Sequence, residues 1–529
     1  MTSSVRFTIA AQESLGAIPP LCHAVMGDTA YNLLEAGRAL QRKLEAITER
    51  PLLRRTMGTL NTGIGVDHGA GVLHETPGGQ THYDFTFLDQ LLDPMVGPRS
   101  IPFFGLDFMP LELTRGTPAD LKEPWMKLDR FAPKDQGRWY ELVHNVVAHC
   151  AERYGADRAR QWFWDFWNEP DLEFYWLNSI EDLLRTYDTT AAAVKAALPG
   201  AKVGGIGVTD RRAQLLDVFL EHCTAGTNFH TGERGAPLDF ITFHVKGGQT
   251  GKLGRFSDPW SAVDYERRTP SLRLVLDNVR WAMDRISAYP ALRGTPVYVT
   301  ECDIDFGVGT SIYHNPNLHY RMSEYFAAFQ CALATQLLDL RRDYPHHPIQ
   351  AAFLDTFYFP GQRAFEGQRT LITGESIDLP ILNALRLLGQ LGEEQLPAAA
   401  EGEPGGVTLS ATRSGDGSLQ VMAVNFDERF DYAETVAVEA VVAGVSEGPW
   451  RARHYRIDRA HSNAYTIWLG QGRPVPPGSE QLAALHRRMG LEQVEPDRPL
   501  AVQGGQLRLT AALPPHAVSL WVLAPVIGH

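Results

Sequence analysis

Eight times between residues 22 and 390, a short apolar run rich in β-branched or aromatic residues gives way to a longer stretch whose apolar residues recur at i, i+3 and i+4. The runs are CHAVMG from Cys22, LLRRTMG from Leu52, IPFFGLDF from Ile101, QWFWDFW from Gln161, AKVGGIGV from Ala201, LDFITFH from Leu238, PVYVTE from Pro296 and AAFLDTFYF from Ala351. Helical patterns between them include NLLEAGRALQRKLEAI, GRWYELVHNVVAHCAERYG, IEDLLRTYDTTAAAVKAAL and LVLDNVRWAMDRISAY. Such alternation marks parallel βα units, and eight of them close into an α/β (β/α)8 barrel with its functional groups at the C-terminal ends of the strands. The expected barrel occupies residues 21–395.

After Leu396 the segment PAAAEGEPGG reads as a linker without apolar period. VTLSATR, SLQVMAVNF, YAETVAVEAVV, RARHYRID and LRLTAALPPHAVSLWVLAP then alternate as short strands, which predicts a β-sandwich over residues 396–529 with one helix, SEQLAALHRRMGL, interrupting it. The opening segment, residues 1–20, contains VRFTIAA and is expected to lend the sandwich a further strand.

The net charge of −13 argues against nucleic acid or an anionic membrane as partner, since both call for basic patches. A small neutral partner fits better. Cys22, Cys150, Cys223, Cys302 and Cys331 form no CxxC pair, so they suggest reduced thiols in place of a zinc cage or disulfide framework. The segment MTSSVRFTIAAQESLGA lacks the basic start and apolar core of a secretory leader, and no run of about 18 apolar residues occurs. The expectation is a cytoplasmic protein.

Chemistry concentrates at two strand ends. In QWFWDFWNEPD, five large aromatics predict a strand buried on both faces, and Pro170, which cannot donate to a ladder, closes it. Glu169 is thereby placed at the lip, against indole and phenyl rings that would raise its pKa and make it a proton donor. In TPVYVTECDIDFG a β-branched strand ends on Glu301. These are the fourth and seventh strands, read as facing each other across the mouth. Two carboxyl groups about 5 to 5.5 Å apart suit retaining glycoside hydrolysis and a gap of roughly 6.5 to 9.5 Å suits inversion, a choice that sequence leaves open. The bland reading, a solvated Glu in an Asn-Pro turn, is weakened by the pairing of both motifs with eight alternating units.

The chain resembles glycoside hydrolase family 39. The family pattern W-x-F-E-x-W-N-E-P, followed by Asp or Asn, stands here as Trp162, Trp164, Asp165, Trp167, Asn168, Glu169, Pro170 and Asp171, with Trp164 and Asp165 replacing Phe and Glu. FMP at Phe108 to Pro110, YDFTFLDQLLD at Tyr83 to Asp93 and LPILNALRLLGQLG at Leu379 to Gly392 are similar to it as well. The resemblance implies double displacement, with Glu301 as nucleophile, Glu169 as acid/base and Asn168 bonding the sugar 2-hydroxyl. No metal or cofactor is implied.

The resemblance also bears on the sugar. It places His244 near the nucleophile, and the HxKG at Lys246 resembles the α-L-iduronidase branch, in which this lysine helps bind the substrate carboxylate. Asp355 in FLDTFYF and Arg369 in GQRTLIT resemble that branch's sugar-contacting residues. Alternatively, Lys246 and Arg369 pair with Asp303, Asp305 or Asp355 in a structural network. Two departures stand out: Met57 occupies the position of a family histidine after Arg55, and Gly105 that of a family glutamate, with His68 a candidate replacement contact. The segment from Gly247 to Arg268 reads as a lid over a pocket. The cations argue for a uronidase, but xylosidase activity is the commoner bacterial role that the resemblance implies and the acidic surface would repel a polyanion at long range. The expectation is therefore an exo-acting β-D-xylosidase acting on xylo-oligosaccharides, with an α-L-iduronidase-like uronidase as alternative and a non-catalytic carbohydrate-binding protein as a reading from another class.

Overall fold

The structure is a computed structural model that describes residues 3–26, 29–61, 71–209, 214–249, 269–308, 310–313, 315–357 and 363–526. Eight parallel strands close into a barrel: β1 (His23–Met26), β2 (Leu52–Thr56), β3 (Ser100–Gly105), β4 (Phe163–Phe166), β5 (Lys202–Val208), β6 (Phe240–Lys246), β7 (Val297–Asp303) and β8 (Ile349–Thr356). Pairing of Phe353 with His23 and of Asp355 with Val25 joins the last strand to the first. The expected (β/α)8 architecture is present.

Helices follow the strands in turn, and several begin on a side chain that accepts otherwise unpaired backbone N–H groups. Asp135 starts Gln136–Tyr154, Ser179 starts Ile180–Ala197, Ser271 starts Leu272–Ser287 and Ser323 starts Glu324–Arg341. Glu324–Arg341 is apolar nearly all round because the second domain covers the side that a barrel helix normally gives to solvent.

Alternation along β4 explains its composition. Trp164 and Phe166 pack outward into the layer between barrel and helices, while Phe163 joins Phe103, Phe240, Tyr298 and Phe353 inside the barrel. There Phe103 stacks on Phe163 with centroids 4.9 Å apart and meets Phe240, Tyr298 and Phe353 edge-on. These rings fill the interior beneath the polar residues at the strand ends.

Eleven further strands, in two sheets, form a sandwich. Its smaller sheet runs Ala398–Glu401, Ser3–Ala10, Val436–Ala443, Gln506–Leu513, and its larger one contains Gly16–Ala17, Glu394–Leu396, Val407–Arg413, Leu419–Asn425, Ala517–Pro525, Pro449–Ile457 and Glu492–Ala501. Val5, Phe7 and Ile9 enter the core between the sheets with Val421, Ala423 and Trp521. Two expectations need correction. Part of the supposed linker, Ala398–Glu401, is a strand, because the N-terminal strand offers it an antiparallel edge. Two helices interrupt the sandwich, Ala464–Gly470 and Ser479–Arg488, the first too short to show a period in sequence. The five cysteines are free and buried.

Candidate active site

The strand ends bring Asn168, Glu169, His244, Lys246, Glu301, Asp355 and Arg369 into one buried cluster. β4 and β7 are not opposite each other, as expected from sequence; β5 and β6 lie between them, and β6 spans the gap. A register shift between Phe243 and His244 pairs His244 with Glu301 and Lys246 with Asp303 across β6 and β7. His244 Nδ1 lies 2.9 Å from Glu169 Oε1 and 3.6 Å from Glu301 Oε2. Oxygens of the two glutamates are within 4.8 Å of each other. That spacing belongs with the short gap of about 5 to 5.5 Å and not with the wide one.

Glu169 is held in an unusual backbone state. Its φ of +46° lies in the left-handed region, which costs a non-glycine residue on the order of 1 kcal/mol. The Glu169 N–H donates to Gly207 O at 3.1 Å, and Glu169 O accepts from Leu172 N at 3.0 Å. Just before it, Trp167 is packed among Phe108, Trp139, Phe166 and Trp176 and donates its indole N–H to Tyr175 O. The aromatic run thus anchors the turn that presents the carboxyl group.

The two glutamates have different electrostatic surroundings. Burial, reinforced by the charge of Glu301, raises Glu169 from 4.5 to about 8, against the pull of Lys246, Arg55 and Arg369. Burial pushes Glu301 up too, but His244, Lys246 and Arg55 outweigh it and hold the group well below the usual carboxylate range. Burial drives His244 down to about 3, although Glu301 favours its charged form. One carboxyl is kept protonated and the other ionised, which suits an acid and a nucleophile.

Lys246 Nζ donates to Glu301 Oε2 and Asp303 Oδ2, each at 2.6 Å, and to Asp355 Oδ2 at 2.8 Å. Arg369 donates to Asp305 O at 2.7 Å and Asp355 Oδ2 at 3.1 Å, and lies 2.9 Å from Asp303 Oδ2. Asp303 also accepts the Asp355 N–H at 3.0 Å. Burial, with the charges of Asp303 and Glu301, raises Asp355 well above its ordinary value. The ion-pair network weighed from sequence therefore exists. Glu301, Asp303 and Asp355 are spaced as metal ligands could be, but the Lys246 ammonium already supplies the positive charge they share. Asn168 Nδ2, His244 Nε2, Asp355 Oδ1 and Arg369 Nε are buried without a hydrogen-bond partner among the described residues, the kind of orphaned polar atoms that sugar hydroxyls can satisfy.

Sequence reasoning assigned no role to Arg55, which is fully buried and forks between Asp165 Oδ2 at 2.9 Å, Glu301 Oε1 at 3.2 Å and Asn168 Oδ1 at 3.2 Å. Its signal was present: an arginine in the middle of an apolar strand, like the aspartate in WFWDFW, needs a buried partner. The departure at Gly105 has a steric cause, since a Cβ there would lie 2.6 Å from Thr56 O and 2.8 Å from Asp107 Oδ1. Met57 is buried at the end of β2. His68 lies outside the described residues, as does the expected lid from residue 250 to 268.

A family model for glycosyl hydrolases family 39 matches residues 54–506. A β-xylosidase of Geobacillus stearothermophilus is 26% identical over 458 residues, covering 85% of this chain and 83% of its own. Human α-L-iduronidase is 26% identical over 541 residues, covering 94% of this chain and 74% of its own. Among solved structures, the bacterial orthologue of human α-L-iduronidase superposes with a TM-score of 0.78 at 21% identity, covering 100% of this chain and 85% of its own. A monomeric β-xylosidase from Caulobacter crescentus superposes with 0.77 at 22%, covering 99% and 100%. At those identities the superpositions establish the fold alone. With the family model spanning most of the chain, the protein belongs to glycosyl hydrolases family 39 and is a glycosidase.

Proposed function

We propose that the protein is an exo-acting, retaining β-D-xylosidase that removes xylose from the non-reducing end of xylo-oligosaccharides. The observation that carries the choice of sugar is that all three N–H groups of Lys246 are engaged by Glu301, Asp303 and Asp355. A saturated ammonium has no donor left for a substrate carboxylate, whereas a neutral pentose asks for none. Exo action is supported by the depth of the site: Glu169 and Glu301 are 9% and 5% exposed, which suits one terminal ring better than a continuous chain.

In the first half-reaction the Glu301 carboxylate attacks the anomeric carbon as Glu169 gives its proton to the departing glycosidic oxygen. In the second, Glu169, now a base, takes a proton from water; the water oxygen displaces Glu301 and the anomeric configuration is restored. Asn168, with its Nδ2 unpartnered, hydrogen-bonds the 2-hydroxyl. Arg55 and Lys246 keep the nucleophile ionised and oriented.

An α-L-iduronidase activity is the second reading, favoured by one specific observation: Arg369 Nε and Asp355 Oδ1 are both buried without a hydrogen-bond partner among the described residues. β-D-Xylose and α-L-iduronic acid share configuration at carbons one to four, so the same acid and nucleophile serve either. An aryl β-D-xyloside and an aryl α-L-iduronide assayed in parallel decide between them. The xyloside is expected to have the higher kcat/KM, and Glu301→Ala with azide is expected to release an α-xylosyl azide. A higher kcat/KM for the iduronide overturns the choice of sugar. Turnover of neither overturns the glycosidase mechanism.

A further inference from the structure

A chain of five hydrogen bonds runs from the Glu301 carboxylate to the backbone N–H of Glu169, passing through Thr242 and Gly207, to which no role has been assigned. Glu301 accepts from Arg55 Nη1, and Arg55 Nε donates to Asp165 Oδ2. The other oxygen of Asp165 accepts from Thr242 Oγ1 at 3.1 Å; Thr242 Oγ1 in turn accepts from Gly207 N at 2.8 Å, and Gly207 O accepts the Glu169 N–H. Every side chain in the chain is within a tenth of full burial. Thr242 sits at its middle, on β6 two residues before His244, which bridges the two carboxylates from the other side.

A hydroxyl has one proton. Because Thr242 accepts from the Gly207 amide, that proton is free to point at Asp165, and each bond fixes the direction of the other. Gly207 has a φ of +58°, and a Cβ there would lie 2.7 Å from Trp167 O and 3.4 Å from His244 Nε2, so this peptide must be a glycine pressed against both. It is the peptide whose carbonyl receives the Glu169 N–H and so supports the left-handed backbone of that residue. Resting on the reading of Glu169 and Glu301 as the reacting pair, we propose that the Thr242 hydroxyl is a positioning group that sets the acid and the nucleophile in register, through the Gly207 peptide on one side and Asp165–Arg55 on the other.

The test compares Thr242→Val, which keeps the shape and removes the hydroxyl, with Thr242→Ser, which keeps the hydroxyl. Thr242→Val is expected to lower kcat on a poor-leaving-group glycoside by about 30-fold with KM nearly unchanged, the scale set by sub-ångström misplacement of reacting groups. Thr242→Ser is expected to remain within about 3-fold of the parent. The carboxyl carbon of Glu169, followed by NMR without substrate, is expected to titrate at lower pH in Thr242→Val, because loosening admits water and separates the group from Glu301. If the valine variant does not fold, Thr242→Ala, which adds no bulk, is measured in its place. Parental kcat and an unmoved Glu169 titration in a folded variant without the hydroxyl overturn the proposal, as does a serine variant as impaired as the valine one. The NMR arm keeps its meaning even if neither glycoside is a substrate.

Discussion

Replacing Glu169 by glutamine should make the protein more stable as pH rises, and by a calculable amount. The carboxyl is driven up by burial and by Glu301, from 4.5 to about 8, and it faces His244 from β6, Glu301 from β7 and, at longer range, Lys246, Arg55 and Arg369. A group whose folded pKa lies above its unfolded one contributes stability in full below the unfolded value and loses it as pH rises through the folded value. The wild type therefore gives up stability between about pH 4.5 and pH 8, at about 1.4 kcal/mol per pH unit, a loss on the order of 5 kcal/mol. Glutamine does not titrate. With an unfolding entropy of about 2.1 cal/mol/K per residue over a barrel of this size, that difference is worth roughly 6 °C. Calorimetry of both proteins across the window is expected to show melting temperatures diverging from near parity at pH 4.5 to that gap at pH 8.5, with Glu169→Gln higher. The same titration sets the alkaline limb of kcat/KM near pH 8 in the parent. A melting-temperature difference that stays flat across the window would refute the idea that Glu169 is a buried acid kept protonated by its surroundings.

Arg55→Lys should fail to rescue activity even though it retains the charge. One ammonium cannot reproduce the fork that reaches Asp165, Glu301 and Asn168, and kcat measured on the xyloside is expected to fall by about 100-fold. Phe103→Ala should cost about 3 to 5 kcal/mol in denaturant unfolding, because the ring stacks on Phe163 and meets Phe240, Tyr298 and Phe353 inside the barrel. Azide rescue of Glu301→Ala, described above, checks the covalent step by the configuration of its product.

The barrel was legible because each strand, buried between ring-filled interior and helices, had to be a short apolar run, while each helix had to show a 3.6-residue period. Glu169 was legible because Pro170 closes the turn after its strand, and Glu301 because it ends the β-branched run, although β7 itself continues to Asp303. Arg55 and Thr242 were not. In a strand buried on both faces, hydropathy does not say which residues point inward, and the partners of these two depend on register across four strands, including the shift at His244. The strand Ala398–Glu401 could not be read from AAAE, which has little β-propensity and is ordered by the edge of a strand almost 400 residues earlier. Whether Lys246 and Arg369 were open to an anion was likewise invisible, since Asp303 and Asp355 reach them only through the closure of β6, β7 and β8 side by side.

What would separate the proposed acid, Glu169, from the proposed nucleophile, Glu301, is the allocation of cations. Glu301 touches Arg55 at 3.2 Å and Lys246 at 2.6 Å. The side chain of Glu169 has His244 as its near neighbour, an imidazole whose pKa burial lowers to about 3. Asp165 holds Arg55 from the far side and Asp303 and Asp355 share Lys246 with the nucleophile, so neither cation can swing to Glu169 without uncovering a buried carboxylate, at a cost of several kcal/mol. His244 spans the pair, 2.9 Å from Glu169 and 3.6 Å from Glu301, and the shorter contact orients Glu169. The aspartates that keep the cations in place thereby keep the proton on Glu169, and they act on the acid without touching it.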